Sequence, residues 1–156
     1  AKYIENCEVW ASDISNKAIQ IAKLNAEKNL VHKKMNFVES DMFKNMKEKN
    51  FDIIVSNPPY IKTRIIKTLP EQVQEEPHIA LDGGRDWLNF YRIIINNCID
   101  YLKENGMLFL EIGFDQKQDV SEIIVNTEKY TDLNCIKDFS GNDRVIYCQK
   151  SKEGEV

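Results

Sequence analysis

Apolar and polar residues alternate along the chain with two different periods. Short apolar runs at 7–12, 35–40 and 51–56 predict β-strands. The last run, FDIIVS, is bounded by polar residues and indicates a parallel strand buried on both faces. Between the first two runs, residues 15–30 carry apolar side chains at helical spacing, with Ser15 as the expected N-cap. The first third of the chain is therefore predicted to alternate strand and helix.

The remainder of the chain continues this alternation. A loop-like stretch with Pro70, Pro77 and two glycines runs to about Arg85. A helix is then predicted from Asp86, with Gly106 closing it. Further predicted elements are a strand at 107–112, a helix at 116–127 and an antiparallel strand pair, NCIKDF and RVIYCQK, joined by SGND.

Alternating strands and helices predict an α/β fold with a mostly parallel sheet, helices on both faces and an antiparallel C-terminal strand. We assign residues 1–150 to one domain and 151–156 to a C-terminal tail. Ligands of such sheets bind at the carboxyl ends of the strands. Asp13, Asp41 and Asn57 each follow a predicted strand. The conjunction of three polar residues at strand ends favours a binding site there.

Composition excludes several classes of protein. The chain has 156 residues, 42% hydrophobic and 29% charged, which fits one globular domain with a substantial core. Its longest apolar runs fall well short of the roughly 18 residues of a membrane-spanning helix. The net charge of -4 argues against a broad nucleic-acid-binding surface.

The cysteine and histidine positions give no sign of a metal site. The two histidines, His32 and His78, have no partner at ligand spacing, and there is no C-x-x-C pair. We interpret the cysteines as free core thiols of a protein in the reducing cytoplasm: Cys7, Cys98, Cys135 and Cys148.

The Asn57-Pro58-Pro59-Tyr60 stretch after the third strand predicts a rigid polar corner. Pro58 biases Asn57 toward an extended conformation, and neither proline has an N–H group. The corner therefore offers carbonyl acceptors without neighbouring main-chain donors, and Asn57 adds a side-chain carbonyl. With the aromatic ring of Tyr60 beside it, such a site suits a planar –NH2 group.

Three separated motifs resemble one enzyme family. The corner resembles the [DNS]-P-P-[YFW] motif of S-adenosylmethionine-dependent amino methyltransferases. EEPHIALDGGRDWLNFYR (75–92) and DFSGNDRVIYCQK (138–150) resemble stretches of the HemK-type protein-(glutamine-N5) methyltransferases. That family modifies the glutamine of the Gly-Gly-Gln loop in peptide-chain release factors. Trp87 stands where the family usually has glycine, and we expect a local packing change there rather than lost activity.

The resemblance implies a Rossmann-like class I methyltransferase fold and S-adenosylmethionine as cofactor. By position, Asp13 is expected to accept both ribose hydroxyls, and Ile14 to pack on the adenine. Asp41 is expected to accept the adenine amino group, with the backbone N–H of Met42 at a ring nitrogen. Asn57 is expected to lie at the cofactor as well as at the substrate.

The resemblance also implies the substrate contacts. Asn57 and the Pro58 carbonyl are expected to hold the glutamine amide, in a corner completed by Pro59 and Tyr60. The ring of Tyr60 also suits a cationic sulfonium group. Two further residues, Glu76 and Pro77, are expected to shape the loop over the substrate. The implied partners are peptide-chain release factors, with no membrane or direct nucleic-acid partner.

Two parts of the family pattern have no counterpart in this sequence. The family has a first strand with a glycine-rich cofactor loop, and an N-terminal helical domain. The six glycines here include no G-x-G pair, so we interpret the chain as a partial catalytic domain. In the family's 3-2-1-4-5-7-6 sheet, the first strand lies between the strands at 7–12 and 51–56. We expect an upstream segment to fill this slot; a neighbouring chain, or direct pairing of the two strands, is an alternative.

Two alternative functions remain open at the level of sequence. An adenine-N6 DNA or RNA methyltransferase faces the same chemistry at an exocyclic amino group, but it needs a basic nucleic-acid-binding region. A non-catalytic remnant, unable to hold cofactor, is the second alternative. Binding of the cofactor distinguishes the remnant from an enzyme.

Overall fold

The computed structural model describes residues 1–152, in two units that each contain their own sheet. The first unit is Ala1–Glu48, and the second begins at Lys49. Most of the predicted C-terminal tail, residues 153–156, lies outside the described part. Among residues 1–152, no helix combines the length and apolar content that crossing a membrane requires.

The first unit is a strand–helix–strand motif. Its elements are β1 (Val9–Asp13), α1 (Asn16–Lys28), a 3₁₀ turn (His32–Lys34) and β2 (Met35–Glu39). β1 and β2 pair in parallel, from Val9 opposite Met35 to Asp13 opposite Glu39. The predicted cap of α1 is confirmed, because the Ser15 hydroxyl accepts a hydrogen bond of 3.3 Å from the Ala18 N–H.

The second unit contains the larger sheet. Its elements are β3 (Phe51–Ser56), a 3₁₀ segment (Thr63–Thr68), α2 (Glu71–Gln74), α3 (His78–Leu81), α4 (Asn89–Cys98), β4 (Leu102–Glu111), α5 (Lys117–Val125), β5 (Tyr130–Lys137) and β6 (Asp143–Lys150). The strand order is β3-β4-β6-β5. β3 and β4 are parallel, and β6 is antiparallel to both of its neighbours. The predicted α/β fold with an antiparallel C-terminal end is confirmed.

The core of the second unit lies between its helices and its two central strands. α4 buries Tyr91, Ile94, Ile95 and Cys98, and α5 buries Val120 and Ile124. Against them lie the fully buried residues of β4 and β6 and the residue that follows β4: Leu108, Leu110, Ile112, Ile146 and Cys148. All four cysteines are free, as predicted, but only Cys98 and Cys148 are buried.

The prediction that β3 is buried on both faces is wrong. Ile53 is 54% exposed and Val55 is 74% exposed. A strand in the middle of a parallel sheet needs a neighbour on each edge and cover on each face. Within the described chain, β3 pairs only with β4. The apolar side chains of β3 are therefore not fully buried in this structure.

The predicted helix from Asp86 to Gly106 is too long at both ends. α4 begins at Asn89 and ends at Cys98, and β4 already starts at Leu102. Gly106 lies at an irregularity of the β3–β4 ladder, where a Cβ atom would lie 3.0 Å from the Phe51 carbonyl oxygen. A Cβ atom would also lie 2.9 Å from the Lys103 carbonyl oxygen, so the glycine is explained by close approach of the backbones of β3 and β4 rather than by helix termination.

The predicted slot for the family's first strand lies beside β1 and β3. Among residues 1–152, β1 pairs with β2 and β3 pairs with β4. Because β1 and β3 belong to different units, all three outcomes for the slot stay predictions: an upstream segment, a neighbouring chain, or direct pairing of β1 and β3.

Candidate active site

The corner formed by residues 57–60 lies directly after β3 and is anchored by the chain that follows it. The N–H of Ile61 donates to the Leu81 carbonyl at 3.0 Å, and the Gly83 N–H donates to the Ile61 carbonyl at 2.8 Å. These two bonds form a short parallel bridge between Ile61 and Asp82. The loop that carries Gly83 and Gly84 therefore lies against the Asn-Pro-Pro-Tyr motif.

Gly83 allows this close approach because it has no side chain. A Cβ atom at Gly83 would lie 2.8 Å from the Pro59 carbonyl oxygen and 2.9 Å from the Tyr60 Cα. Both neighbours are backbone atoms, so they cannot rotate away. Gly84 has a different reason to be glycine, since its φ of 91° lies in the left-handed region.

Asp82 stabilises the turn that carries the two glycines. Its carboxylate accepts hydrogen bonds from the Thr63 hydroxyl at 2.6 Å and from the Gly84 N–H at 2.9 Å. These bonds lower the pKa of Asp82 below its ordinary value, with the Thr63 bond the larger cause. The carboxylate therefore remains ionised and keeps the loop in place.

A cavity of about 290 Å³ lies beside the corner. Asn57, Pro58, Pro59 and Tyr60 all line it, and the other lining residues come from the following segments: Ile61, Val73, Glu76, Ala80 and Leu81. Glu76 lines the cavity, and its expected contribution to the loop over the substrate stays a prediction. Pro77 does not line the cavity and instead precedes α3 as its N-cap residue. The cavity offers carbonyl acceptors, one aromatic ring and one carboxylate to a ligand.

The side chain of Tyr60 is oriented from β4. Its hydroxyl donates a hydrogen bond of 3.5 Å to Oε1 of Glu111. Burial raises the pKa of Tyr60, and the charge of Glu111 raises it further, partly offset by Arg144. The phenol is therefore neutral near pH 7 and remains a hydrogen-bond donor. Glu111 was not predicted from the sequence, although a carboxylate within the apolar run MLFLEI is a usable signal.

Gln116 is a second residue near the corner that was not predicted from the sequence. Its side chain is fully buried. Oε1 accepts from the Gly113 N–H at 2.7 Å and from the Tyr91 hydroxyl at 3.2 Å. Nε2 lies 3.4 Å from the carbonyl oxygens of both Tyr60 and Trp87. No local sequence pattern distinguishes this glutamine from the exposed glutamines of the chain.

The third motif forms the turn between β5 and β6. The Asp138 carboxylate accepts from the N–H groups of Ser140 at 2.9 Å and Asn142 at 3.0 Å, and Gly141 has a φ of 85°. Arg144 donates to the Ile112 carbonyl at 3.0 Å and contacts Asp138. The motif therefore links this turn to the end of β4, close to Glu111.

Four of the five residues expected to bind the cofactor lie in the first unit, at the carboxyl ends of β1 and β2, whereas Asn57 follows β3 in the second unit. Asp13 accepts from the Ser15 N–H at 2.7 Å through Oδ1. Ile14 is 49% exposed. The carboxylate of Asp41 forms an ion pair with Lys44, and Met42 has a left-handed φ of 51°. Asp13 and Ile14 are exposed, whereas Asp41 and Met42 are half-buried.

Ser40, which the sequence analysis did not single out, holds the turn after β2. Its N–H donates to the Asp13 carbonyl at 2.9 Å, which joins the two strand ends. Its hydroxyl donates to the Met42 carbonyl at 2.8 Å and accepts from the Asn45 N–H at 2.9 Å. Because Ser40 is buried and forms these hydrogen bonds, it fixes the backbone that carries Asp41 and Met42.

Comparison with known proteins identifies one family model and many relatives. Residues 1–132 match the model of the methyltransferase small domain. The release factor glutamine methyltransferase of Agrobacterium fabrum is 45% identical over 86% of this chain and 46% of its own length. The corresponding protein of Clostridium botulinum is 41% identical over 94% of this chain and 53% of its own. The chain spans about half the length of these curated relatives.

Solved structures show the same fold at lower identity. A methyltransferase from Pyrococcus furiosus has a TM-score of 0.71 and 21% identity, over 97% of this chain and 66% of that one. The N-methyltransferase NodS of Bradyrhizobium japonicum, in complex with S-adenosyl-L-homocysteine, has a TM-score of 0.57 and 15% identity, over 93% of this chain and 67% of that one.

Proposed function

The chain belongs to the methyltransferase small domain family, and we propose that it is the catalytic part of a release factor glutamine methyltransferase. The proposed reaction transfers a methyl group from S-adenosylmethionine to the side-chain amide nitrogen of the glutamine in the Gly-Gly-Gln loop. The Rossmann-like class I methyltransferase fold is shared with the solved relatives. The observation that carries the proposal is the cavity lined by the whole Asn-Pro-Pro-Tyr corner.

The corner supports recognition of an amide –NH2 group. We assign the side-chain carbonyl of Asn57 and the main-chain carbonyl of Pro58 as acceptors of its two N–H groups. Prolines at 58 and 59 have no N–H groups that could compete for these acceptors. The chemistry needs such help, because an amide nitrogen shares its lone pair with the carbonyl and is a poor nucleophile. Accepting both hydrogens off the amide plane helps to localise that lone pair.

Positioning supplies much of the remaining rate enhancement. Holding two reactants in line can contribute about 7–11 kcal/mol to lowering a barrier. The nitrogen loses a proton once it carries the methyl group, because the methylated amide is acidic. No strong base is required beforehand, so the neutral Tyr60 beside the acceptors is consistent with the reaction.

The donor chemistry of the first unit fits S-adenosylmethionine. We assign Asp13 to the ribose hydroxyls, Ile14 and the Met42 N–H to the adenine ring, and Asp41 to the adenine amino group. Asp13 is exposed, and Oδ1 of its carboxylate accepts a hydrogen bond from the Ser15 N–H. When bound, the cofactor supplies the methyl group in activated sulfonium form.

Peptide-chain release factors are the proposed partners, and the cytoplasm, where translation takes place, is the proposed location. The names of the relatives favour glutamine over adenine as the target, and so does the net charge of -4. The proposal does not include a nucleic-acid substrate.

The decisive experiment incubates the protein at its natural length with S-adenosylmethionine and a release factor. We expect mass spectrometry to find one added methyl group on the loop glutamine. A release factor with glutamate in place of that glutamine is the control, and it should remain unmodified. Methylation of duplex DNA or RNA, with no modification of the release factor, would overturn the proposal in favour of the adenine alternative. Calorimetric titration of cofactor into residues 1–156 tests separately whether this part alone retains cofactor.

A further inference from the structure

We propose that Gln116 is a positioning residue for the Asn57–Tyr60 corner and thereby sets the rate of methyl transfer. The role rests on the proposed function of the corner. Gln116 lies outside the cavity and acts through the backbone carbonyl of Tyr60, the last residue of the corner.

Both polar atoms of the Gln116 side chain have hydrogen-bond partners within the second unit. A glutamine amide has two N–H donors and an oxygen with two lone pairs. The oxygen accepts from Gly113 and Tyr91, and the two donors point to the carbonyls of Tyr60 and Trp87. Because the Gln116 side chain is 0% exposed, its amide cannot form hydrogen bonds with water instead. The orientation of the amide is therefore fixed.

The four partners of Gln116 belong to different parts of the second unit. Tyr60 ends the corner after β3, and Trp87 belongs to the loop that carries the two glycines. Tyr91 lies on α4, and it shares its single hydroxyl hydrogen between the Glu111 carbonyl at 2.8 Å and Oε1 of Gln116 at 3.2 Å. Gly113 follows β4. The Gln116 side chain thus links the corner to α4 and to the end of β4.

The composition of the corner explains why it needs an external donor. Pro58 and Pro59 have no N–H groups, so they cannot anchor the corner by donating hydrogen bonds. The Pro58 carbonyl has to stay free to accept the substrate amide. A hydrogen bond to the Tyr60 carbonyl can therefore anchor the corner without occupying the Pro58 carbonyl. The side-chain N–H of Gln116 donates this hydrogen bond.

A small displacement of the corner is sufficient to affect the rate. A misplacement of about 1 Å by a residue far from the chemistry can cost roughly 10²-fold. Loss of the Gln116 donor leaves Tyr60 attached only through the contacts of its neighbours and of its own ring. The expected consequence is a lower kcat, with little change in the affinity for cofactor.

The test compares two substitutions of the same chemical type on one helix segment. Gln116→Glu keeps an acceptor for Gly113 and Tyr91 but places an oxygen against the carbonyls of Tyr60 and Trp87. We expect kcat for release-factor methylation to fall about 10- to 100-fold, with an unchanged calorimetric Kd for S-adenosylmethionine. Gln118→Glu, at an exposed position two residues further on, is the matched control and should keep the parent kcat.

A double-mutant cycle separates positioning from general loss of structure. If Gln116 acts through the corner, Gln116→Glu should cost much less in an Asn57→Ala background than in the parent, because the acceptor that it positions is already gone. Equal costs in both backgrounds would overturn the proposal. Should the buried carboxylate prevent folding, Gln116→Met keeps the volume without charge and takes its place in the cycle.

The outcomes distinguish this role from the proposed function itself. A parent enzyme that does not methylate release factors refutes the function. A parent enzyme that methylates them, with folded Gln116→Glu and Gln116→Met variants of full kcat, refutes only the positioning role.

Discussion

The hydroxyl of Tyr60 and the carboxylate of Glu111 are joined by a hydrogen bond of 3.5 Å, although 51 positions separate them in sequence. Tyr60 is therefore held at two points: at its hydroxyl by Glu111 and at its carbonyl by Gln116. The aromatic ring and the backbone of the corner are fixed independently. This arrangement suits a site whose acceptors must keep their direction while substrate enters.

Glu111→Gln should lower the pKa of Tyr60, because the charge of Glu111 and its hydrogen bond both raise that pKa. Burial, the largest cause, remains, so the pKa should stay above its ordinary value. The raised pKa means that the neutral phenol stabilises the fold below about pH 10 and that this stability is lost as pH rises through the folded-state pKa. In Glu111→Gln, the stability that comes from the neutral phenol should therefore be lost at a lower alkaline pH than in the parent protein.

The measurement is an NMR titration of tyrosines labelled at the ring carbon that bears the hydroxyl. Tyr60→Phe assigns the signal by its disappearance. An unchanged Tyr60 titration in Glu111→Gln would show that the two side chains do not interact in solution.

Asn57→Ala should reduce methyl transfer to release factors about 10²- to 10³-fold, as expected when one preorganised hydrogen-bonding group at a reacting centre is removed. Calorimetry should find the affinity for S-adenosylmethionine nearly unchanged. Asn57→Asp is the matched variant, since it keeps the shape but loses the neutral side chain, and we expect it to be impaired too. Near-parent turnover of Asn57→Ala would remove this residue from the proposed chemistry.

Asp13→Ala should weaken binding of S-adenosylmethionine, because hydrogen bonds to a charged group contribute roughly 1.5–3 kcal/mol each. Loss of one such bond corresponds to a factor of about 10 or more in Kd. Asp13→Asn is the informative companion, since it removes the charge but retains an oxygen for the Ser15 N–H at the start of α1. Unchanged affinity in both variants would leave Asp13 with a structural role only.

Trp87→Gly should be more stable than Trp87→Ala. Trp87 has a φ of 58°, and the left-handed conformation costs residues with a Cβ about 1–2 kcal/mol. Both variants lose the contact in which Lys62 Nζ lies 3.4 Å from the centre of the indole ring. The comparison therefore isolates backbone strain, and we expect a difference of about 1 kcal/mol in the free energy of unfolding in urea. A more stable alanine variant would contradict this account.

The left-handed φ of Trp87 is a conformation that glycine adopts without strain. The indole ring contacts Lys62, which a glycine cannot do. The carbonyl that faces Gln116 is a main-chain group, so it is present whichever side chain stands there. We therefore expect Trp87→Gly to keep most of its methylation rate.

Local sequence determined the order of the elements and the chemistry of the corner. The period of the apolar residues reports which face of a helix or strand is buried, so β1, α1, β2 and the final strand pair were predicted within a few residues. Ser15 was predicted as a cap because capping involves only neighbouring residues. The rigid character of Pro58 and Pro59 is likewise a local covalent property.

Tertiary structure decided which residues are exposed and which residues far apart in sequence contact each other. The apolar sequence of β3 does not reveal that Ile53 and Val55 are exposed, because exposure depends on what covers a strand. Gly106 resembles a helix terminus in sequence, but its close approach to Phe51 explains it. Gln116 lies 56 positions from Tyr60. Only the folded chain brings such a donor to the carbonyl of the corner, because one-dimensional patterns do not record contacts between separate elements.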